Sequence, residues 1–150
     1  MKIGGVEVKP NEEILVLPRL GGDIIIRAHA VRDMDLFHTL CPLPSAPGVR
    51  TKDGFKPNVE DKNYLQLLEI YSAQRMAYIV IKSLEPSYIE WETIKLEDPT
   101  TWQLWSEELT KAGLSEVECQ RVVQCVLQAN SLDEGKLKEA REVFLRGQGA

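Results

Sequence analysis

The sequence predicts an α+β fold in which a small N-terminal antiparallel β-sheet, a hairpin, precedes a predominantly helical part of about four helices. Three observations predict it. Residues 13–31 are rich in branched apolar side chains around a Gly-Gly pair, residues 60–84 hold one long helical pattern, and residues 98–147 show successive helix starts and stops. Strands gathered first and helices after them argue for α+β rather than alternating α/β. The 150 residues read as a single domain, 1–150, with a β-hairpin region at 1–31, a short helix and proline-rich crossing at 32–59, and the helical part at 60–147.

Taken in order, "VEV" (6–8) alternates, "EILVL" (13–17) is apolar and branched, and "DIIIRAHAV" (23–31) follows. Gly21 and Gly22 stand between the last two, where a hairpin turn calls for positive φ. Ile24, Ile26, Ala28 and Ala30 share one face of the second strand, and Ile25, Arg27 and His29 the other. "RDMDLFHTL" (32–40) reads as a short helix with Asp33 at its start and Met34, Phe37 and Leu40 on one side, stopped by Pro42. From there to Lys62 the prolines and glycines predict an extended, irregular surface crossing.

Residues 60–84 carry a stripe of Tyr64, Leu67, Leu68 and Tyr71, with Ile70, Ala73, Met76, Ala77 and Ile79 adding apolar cover beyond it. A helix apolar on more than one side is either central to its fold or shared with a partner. "YIEWETIKL" (88–96) alternates as a strand would. Asp98, Pro99 and Gly113 mark the start and end of a helix, and "SEVE" (115–118) is a capping box. The helix behind it repeats Cys119, Val122, Val123, Val126 and Leu127. A last helix, from about Leu132 to Arg146, is expected to turn Leu137, Ala140 and Phe144 inward.

Charge and composition exclude several classes. The net charge is −5, and all of the excess lies in residues 61–150, where 15 acidic side chains face 10 basic ones. With no run of cations, nucleic acid is not an expected partner. Three cysteines, an odd and sparse set, argue for a reducing compartment. No apolar run approaches membrane-spanning length and "MKIGGVEVKP" lacks the apolar core of a signal peptide, so a soluble cytoplasmic protein is expected.

Candidate chemistry is thin. His38 and Cys41 form an H-x-x-C pair, but Cys119 and Cys125 stand six apart on a helix, unlike the short loops that aim two donors at one zinc ion. Cys41 with His29 or His38 could form a nucleophile pair, yet it falls at a helix end and fits an apolar anchor better. The carboxylate pairs Glu90/Glu92 and Glu107/Glu108 read as solvated faces. The glycine pairs at 4–5 and 21–22 lack phosphate-loop spacing, and "NSLDEG" (130–135) lacks the ligands of a calcium loop. No catalytic residue, metal ligand or cofactor is expected. Trp91, Trp102 and Trp105 fall within fifteen residues and could serve a core or an interface.

Four phrases in colinear order, "LPRLGGDIIIRAHAVRD", "CPLPSAPGV", "SLEPSYIEWETIKLEDPTTWQLWSEELTKAGLSEVE" and "ANSLDEGKLKEAREVFLRGQ", resemble the tail assembly chaperones of tailed bacteriophages over nearly the whole chain. The resemblance implies a non-enzymatic protein of the host cell cytoplasm that binds the tape measure protein. It would keep that long apolar chain soluble, help recruit tail tube protein, and be absent from the finished virion. A holdase for an apolar helix presents a helix-lined groove, and the candidate partner-binding residues are Leu67, Tyr71, Trp102, Trp105 and Phe144. Self-association stays open at this point. So do two rivals: a structural tail or connector protein retained in the virion, and a small enzyme using Cys41.

Overall fold

A computed structural model describes residues 1–148 of the chain. Its architecture is α+β, with short antiparallel hairpins gathered toward the N-terminus and helices after them. Strands β1 (Lys2–Ile3) and β2 (Val6–Glu7) make a first small hairpin; β3 (Glu12–Leu17) and β4 (Ile24–His29) make the main one. Helix α1 (Asp35–Leu40) leads to a third hairpin, β5 (Gly48–Thr51) with β6 (Gly54–Pro57). Helices α2 (Lys62–Ser83), α3 (Trp105–Ala112), α4 (Glu116–Ala129) and α5 (Glu134–Gln148) complete the chain, with 3-10 turns at Glu85–Ser87 and Pro99–Leu104.

The main hairpin pairs from Glu12↔His29 to Leu17↔Ile24. This register turns Leu17, Ile26 and Ala28 into the core and leaves Ile14, Val16 and Ile25 on an exposed face. Two polar ties fix it along α4. At its tip, Arg19 grips the Glu118 carboxylate with two hydrogen bonds of 2.7 and 2.8 Å. At its base, Asn11 Nδ2 donates to the terminal carbonyls of α4, Gln128 O and Ala129 O, both at 3.0 Å. Those carbonyls lie in the last turn of α4, where the helix runs out of its own donors, so Asn11 acts as a cap supplied by another element, beside the Ser131 amide that also reaches Gln128 O. The edge of β4 is closed by one hydroxyl: Ser87 Oγ accepts from Arg27 N at 2.8 Å and donates to Arg27 O at 2.7 Å.

Helix starts follow local chemistry. Asp61 accepts from Tyr64 N at the head of α2, and Asp98 accepts from Thr100 N at the head of the turn that runs into α3. Gly113 ends α3 with φ +119, a conformation that a side chain would oppose. Ser115 and Glu118 exchange both bonds of the capping box. Asp33 does not cap α1 from the Ncap position, which Met34 occupies, but its carboxylate holds the Asp35 amide at 2.7 Å.

Two expected features are corrected. Residues 48–57, expected to be irregular, form the β5–β6 hairpin, because Lys52 and Asp53 make a two-residue turn and Gly54 after them takes φ +107. Residues 88–96, expected as a strand, follow an irregular path. Tyr88 sits in the left-handed region at φ 52, which breaks the extended run. Side chains then take the backbone donors: Glu92 N and Thr93 N donate to the Glu108 carboxylate, and Lys95 N donates to Thr101 Oγ1. With those donors engaged, no partner strand is needed.

The second half of α2 divides two apolar clusters. One gathers the inner face of the hairpin with Ile79 and Val80 of α2 and its cap Leu84, Leu109 of α3, and Cys119, Val122 and Val126 of α4. The other holds Phe37, Cys41, Ala77, Tyr78, Ile81 and Trp102. Trp102 is 0% exposed, lies 5.2 Å from the Tyr78 ring, and donates from Nε1 toward the carbonyls of Lys95 and Leu96 at 3.2 Å. The Trp102→Ala variant should lose about 3–5 kcal/mol of stability, read by urea unfolding. A loss within 1 kcal/mol of zero would show that the second cluster does not form.

Glu118 gives the fold a pH dependence. Its carboxyl is held down to about 2, first by the Arg19 side chain and next by the Ser115 backbone N–H. A group whose folded value is depressed contributes stability above its ordinary value and loses it as the pH falls toward the folded one. Between pH 5 and 2 the wild type should therefore lose more melting temperature than Glu118→Gln. Parallel melting curves across that range would refute the tie.

Candidate protein interface

The surface, rather than a polar pocket, holds the unusual features. Cys41, Cys119 and Cys125 are free and buried, and burial pushes the Cys41 and Cys125 thiols up, away from the reactive thiolate. Cys41 belongs to the cluster around Phe37, while Cys119 and Cys125 belong to the cluster beneath the hairpin. His29 points Nε2 at Lys82 O, 3.1 Å away. Among the described residues no three His, Cys, Asp or Glu side chains gather as metal ligands, and no helix is long and apolar enough to cross a membrane.

Three exposed apolar faces stand out. The first is α5, none of whose residues is buried. Leu137, Ala140 and Phe144, expected to face inward, form an exposed stripe instead, with Phe144 62% exposed. The chain turns sharply before it: Ser131 takes φ 55, and Asp133 is fastened to Gln124 Nε2 at 2.7 Å while accepting from Lys136 N at 3.1 Å. Those bonds set the direction in which α5 departs, and that direction carries its stripe into solvent.

The second face is the first half of α2. Tyr64, Leu68 and Tyr71 are half-buried, and the Tyr71 ring lies 5.3 Å from Phe37. Leu65, Leu67 and Ile70 are each about half exposed. The third face is the outer side of the main hairpin, with Ile14, Val16 and Ile25.

The candidate residues read from the sequence divide accordingly. Tyr71, Trp102 and Trp105 come together in the second cluster, where Tyr71 and Trp105 are half-buried. Trp102, wholly enclosed, offers no surface to a partner and is corrected to a core residue. Leu67 and Phe144 are exposed on separate helices, and no groove is assembled from all five. Helical spacing placed each tryptophan on an apolar side without showing whether a neighbouring loop would cover it; the 88–97 segment does cover Trp102.

Sequence reasoning passed over a cleft beside that segment. Glu108, read as solvated, is a clamp. Burial works against its charge, but the Thr93 hydroxyl and the amides of Glu92, Thr93 and Ile94 outweigh burial and hold the carboxyl below its usual range. By pinning Glu92 and Thr93, it opens a cavity of about 280 Å³ against α3, floored by Ile89, Trp91, Leu104 and Leu109 and rimmed by Glu90, Glu92 and Glu107. A second cavity of about 260 Å³ shares Ile89 and Trp91 and reaches Ile81, Leu84 and Ile94. Tyr88 stands at its mouth, 89% exposed. The alternating Glu-Trp-Glu pattern suggested a strand, and the left-handed Tyr88 that overrides it leaves no mark in residue types.

Comparison with protein-family models, curated proteins and solved structures gave no match for this chain.

Because α5 adds nothing to the core of its own chain, Leu137→Asp and Phe144→Asp should each change stability by less than about 0.5 kcal/mol, read at a protein concentration where the chain is monomeric. Val122→Ala, at a buried site of α4, should cost about 1–3 kcal/mol by the same urea titration. Equal losses at α4 and α5 would mean that α5 packs on its own chain.

Proposed function

We propose that the protein is a non-enzymatic assembly chaperone of a tailed bacteriophage that acts in the host cytoplasm by binding the apolar tape measure protein and assisting tail tube assembly. The observation that carries this reading is α5, a formed amphipathic helix of 15 residues that buries none of its own side chains. Apolar stripes left in water on a soluble chain mark sites for another surface. A helix offering residues at i, i+3 and i+7 is a standard way to engage an apolar helical partner. Leu67 and Ile70 on α2 offer a second, separate apolar patch. The colinear phrases quoted above supply the partner's identity, and the acidic balance of residues 61–150 keeps such a surface soluble.

Co-expression with a tape measure protein of the same phage tests the reading. The wild-type chain should raise the soluble yield of the tape measure protein and co-purify with it. Burying a leucine or phenylalanine contributes about 1.5–3 kcal/mol, so Leu137→Asp/Phe144→Asp should weaken capture on the order of 100-fold or more. Undiminished capture by that variant, or no solubilisation by the wild type, would refute the proposal.

A further inference from the structure

The structure holds an unburied helix and an unfilled cleft on the same chain. Helix α5 offers Leu137 and Phe144, seven residues apart and therefore on one side, about 10.5 Å from each other along the axis. Between α3 and the 88–96 segment, Ile89 and Trp91 line two neighbouring cavities of about 280 and 260 Å³ in common. Each is of a size to take a large apolar side chain. Two projecting side chains thus match two hollows that share an aromatic wall. We propose that α5 of one copy of this chain docks in the Trp91 cleft of a second copy, so that the protein self-associates by exchanging its C-terminal helix.

Charge selects this pairing over the alternatives. Residues 134–148 carry four basic side chains against three acidic ones, whereas residues 61–133 carry six basic against twelve acidic. The cleft concentrates that difference, with Glu90, Glu92 and Glu107 on its rim against Lys111. Arg141 flanks the Leu137–Phe144 stripe one turn after Leu137, where it meets the rim carboxylates when the stripe enters the cleft. Pairing two α5 helices would instead set two net-positive segments against each other.

Topology places the docked helix on a second molecule. The cleft lies against α3, next to the Gly113 turn that opens α4, whereas α5 leaves from the opposite end of α4. Fourteen residues of helix, about 21 Å, separate the two ends. The Asp133 bonds direct α5 away from its own core. One helix in one cleft is a small interface. A two-fold exchange makes the same contact twice and closes at a dimer.

The test uses the full chain alone, by sedimentation and light scattering over a range of concentrations. The wild type should form a concentration-dependent dimer. Leu137→Asp/Phe144→Asp should weaken it on the order of 100-fold. The rim reversal Glu90→Lys/Glu92→Lys should weaken it about tenfold or more at low salt, with circular dichroism unchanged. Arg141→Glu should also be weak by itself, and mixing it with the rim reversal should restore a heterodimer. A wild type that is monomeric at its highest soluble concentration overturns the exchange. So does a dimer that survives the α5 substitutions, which would point to the Ile14–Val16 face. A dimer sensitive to α5 but indifferent to rim reversal overturns the cleft in favour of α5 pairing with itself. The exchange uses the same α5 stripe as the proposed capture of the tape measure protein, and the rim reversal separates the two: Glu90→Lys/Glu92→Lys should weaken the dimer while leaving Leu137 and Phe144 free for capture, read with both proteins present.

Discussion

The structure depends on the eight residues from Ala77 in α2 to Leu84, the cap that ends the helix, which serve two clusters at once. From Ala77 to Leu84 every residue is buried except Lys82, whose ammonium reaches Glu85 at 2.7 Å. Ile79, Val80 and Leu84 face the hairpin and α4, while Ala77, Tyr78 and Ile81 face α1 and Trp102. A helix covered on nearly all sides is not amphipathic, and from Ala77 to Ile81 α2 presents five successive buried apolar or aromatic residues, with only Lys82 reaching out beyond them. The helix has to end where this cover ends, and Pro86 in the following turn prevents it from continuing. The cost of enclosing one half falls on the other. The first half of α2 projects past both clusters with only one side covered, so its apolar residues meet water.

A polar node sets where the helices lie around that wall. Ser83 is wholly buried and accepts from Asn130 Nδ2 at 2.7 Å, while Asn130 Oδ1 accepts from Val31 N at 2.8 Å. The same amide also donates to Val126 O. One side chain thus joins the end of α2, the end of α4 and the strand leaving the hairpin. No buried side-chain donor or acceptor among the described residues lacks a partner. Such a network tolerates little displacement, because each bond lost would leave a buried group without water to replace it. The end of α4 is therefore fixed, and with it the point from which α5 sets out.

How much of this was legible in the residues depends on how local the cause is. The Gly21-Gly22 hairpin, the Ser115–Glu118 box and the Asp98…Gly113 boundaries are decided by groups within a few residues, and the sequence showed them. The Lys52-Asp53 turn, with Gly54 after it, was equally local and was obscured by the prolines around it. Trp102 is covered by the 88–97 segment and Trp105 only in part, while Trp91 belongs to that segment, whose course depends on Glu108 reaching across to hold two amides. Periodicity identifies an apolar side of a helix; it does not say whether the chain has another element to place there. For α5 it has none, so the predicted inner face of Leu137, Ala140 and Phe144 became an outer one.

Helix α5 is formed without burial, and its local chemistry accounts for that. Isolated helices of this length are marginal in water, since the first turn costs entropy before packing can offset it. Here Asp133 caps the first turn, and its second oxygen is held by Gln124. Glu134 precedes Lys138 by four residues, and Glu142 precedes Arg146 by four, the orientation that favours the helix dipole. Gly135 and Gly147 lie at the two ends, where a weak helix former costs least. A helix ordered in advance loses less entropy on docking than a coil that must fold as it binds. Its apolar stripe is thus available as a rigid edge, and binding is governed by what the stripe meets rather than by the cost of making the helix.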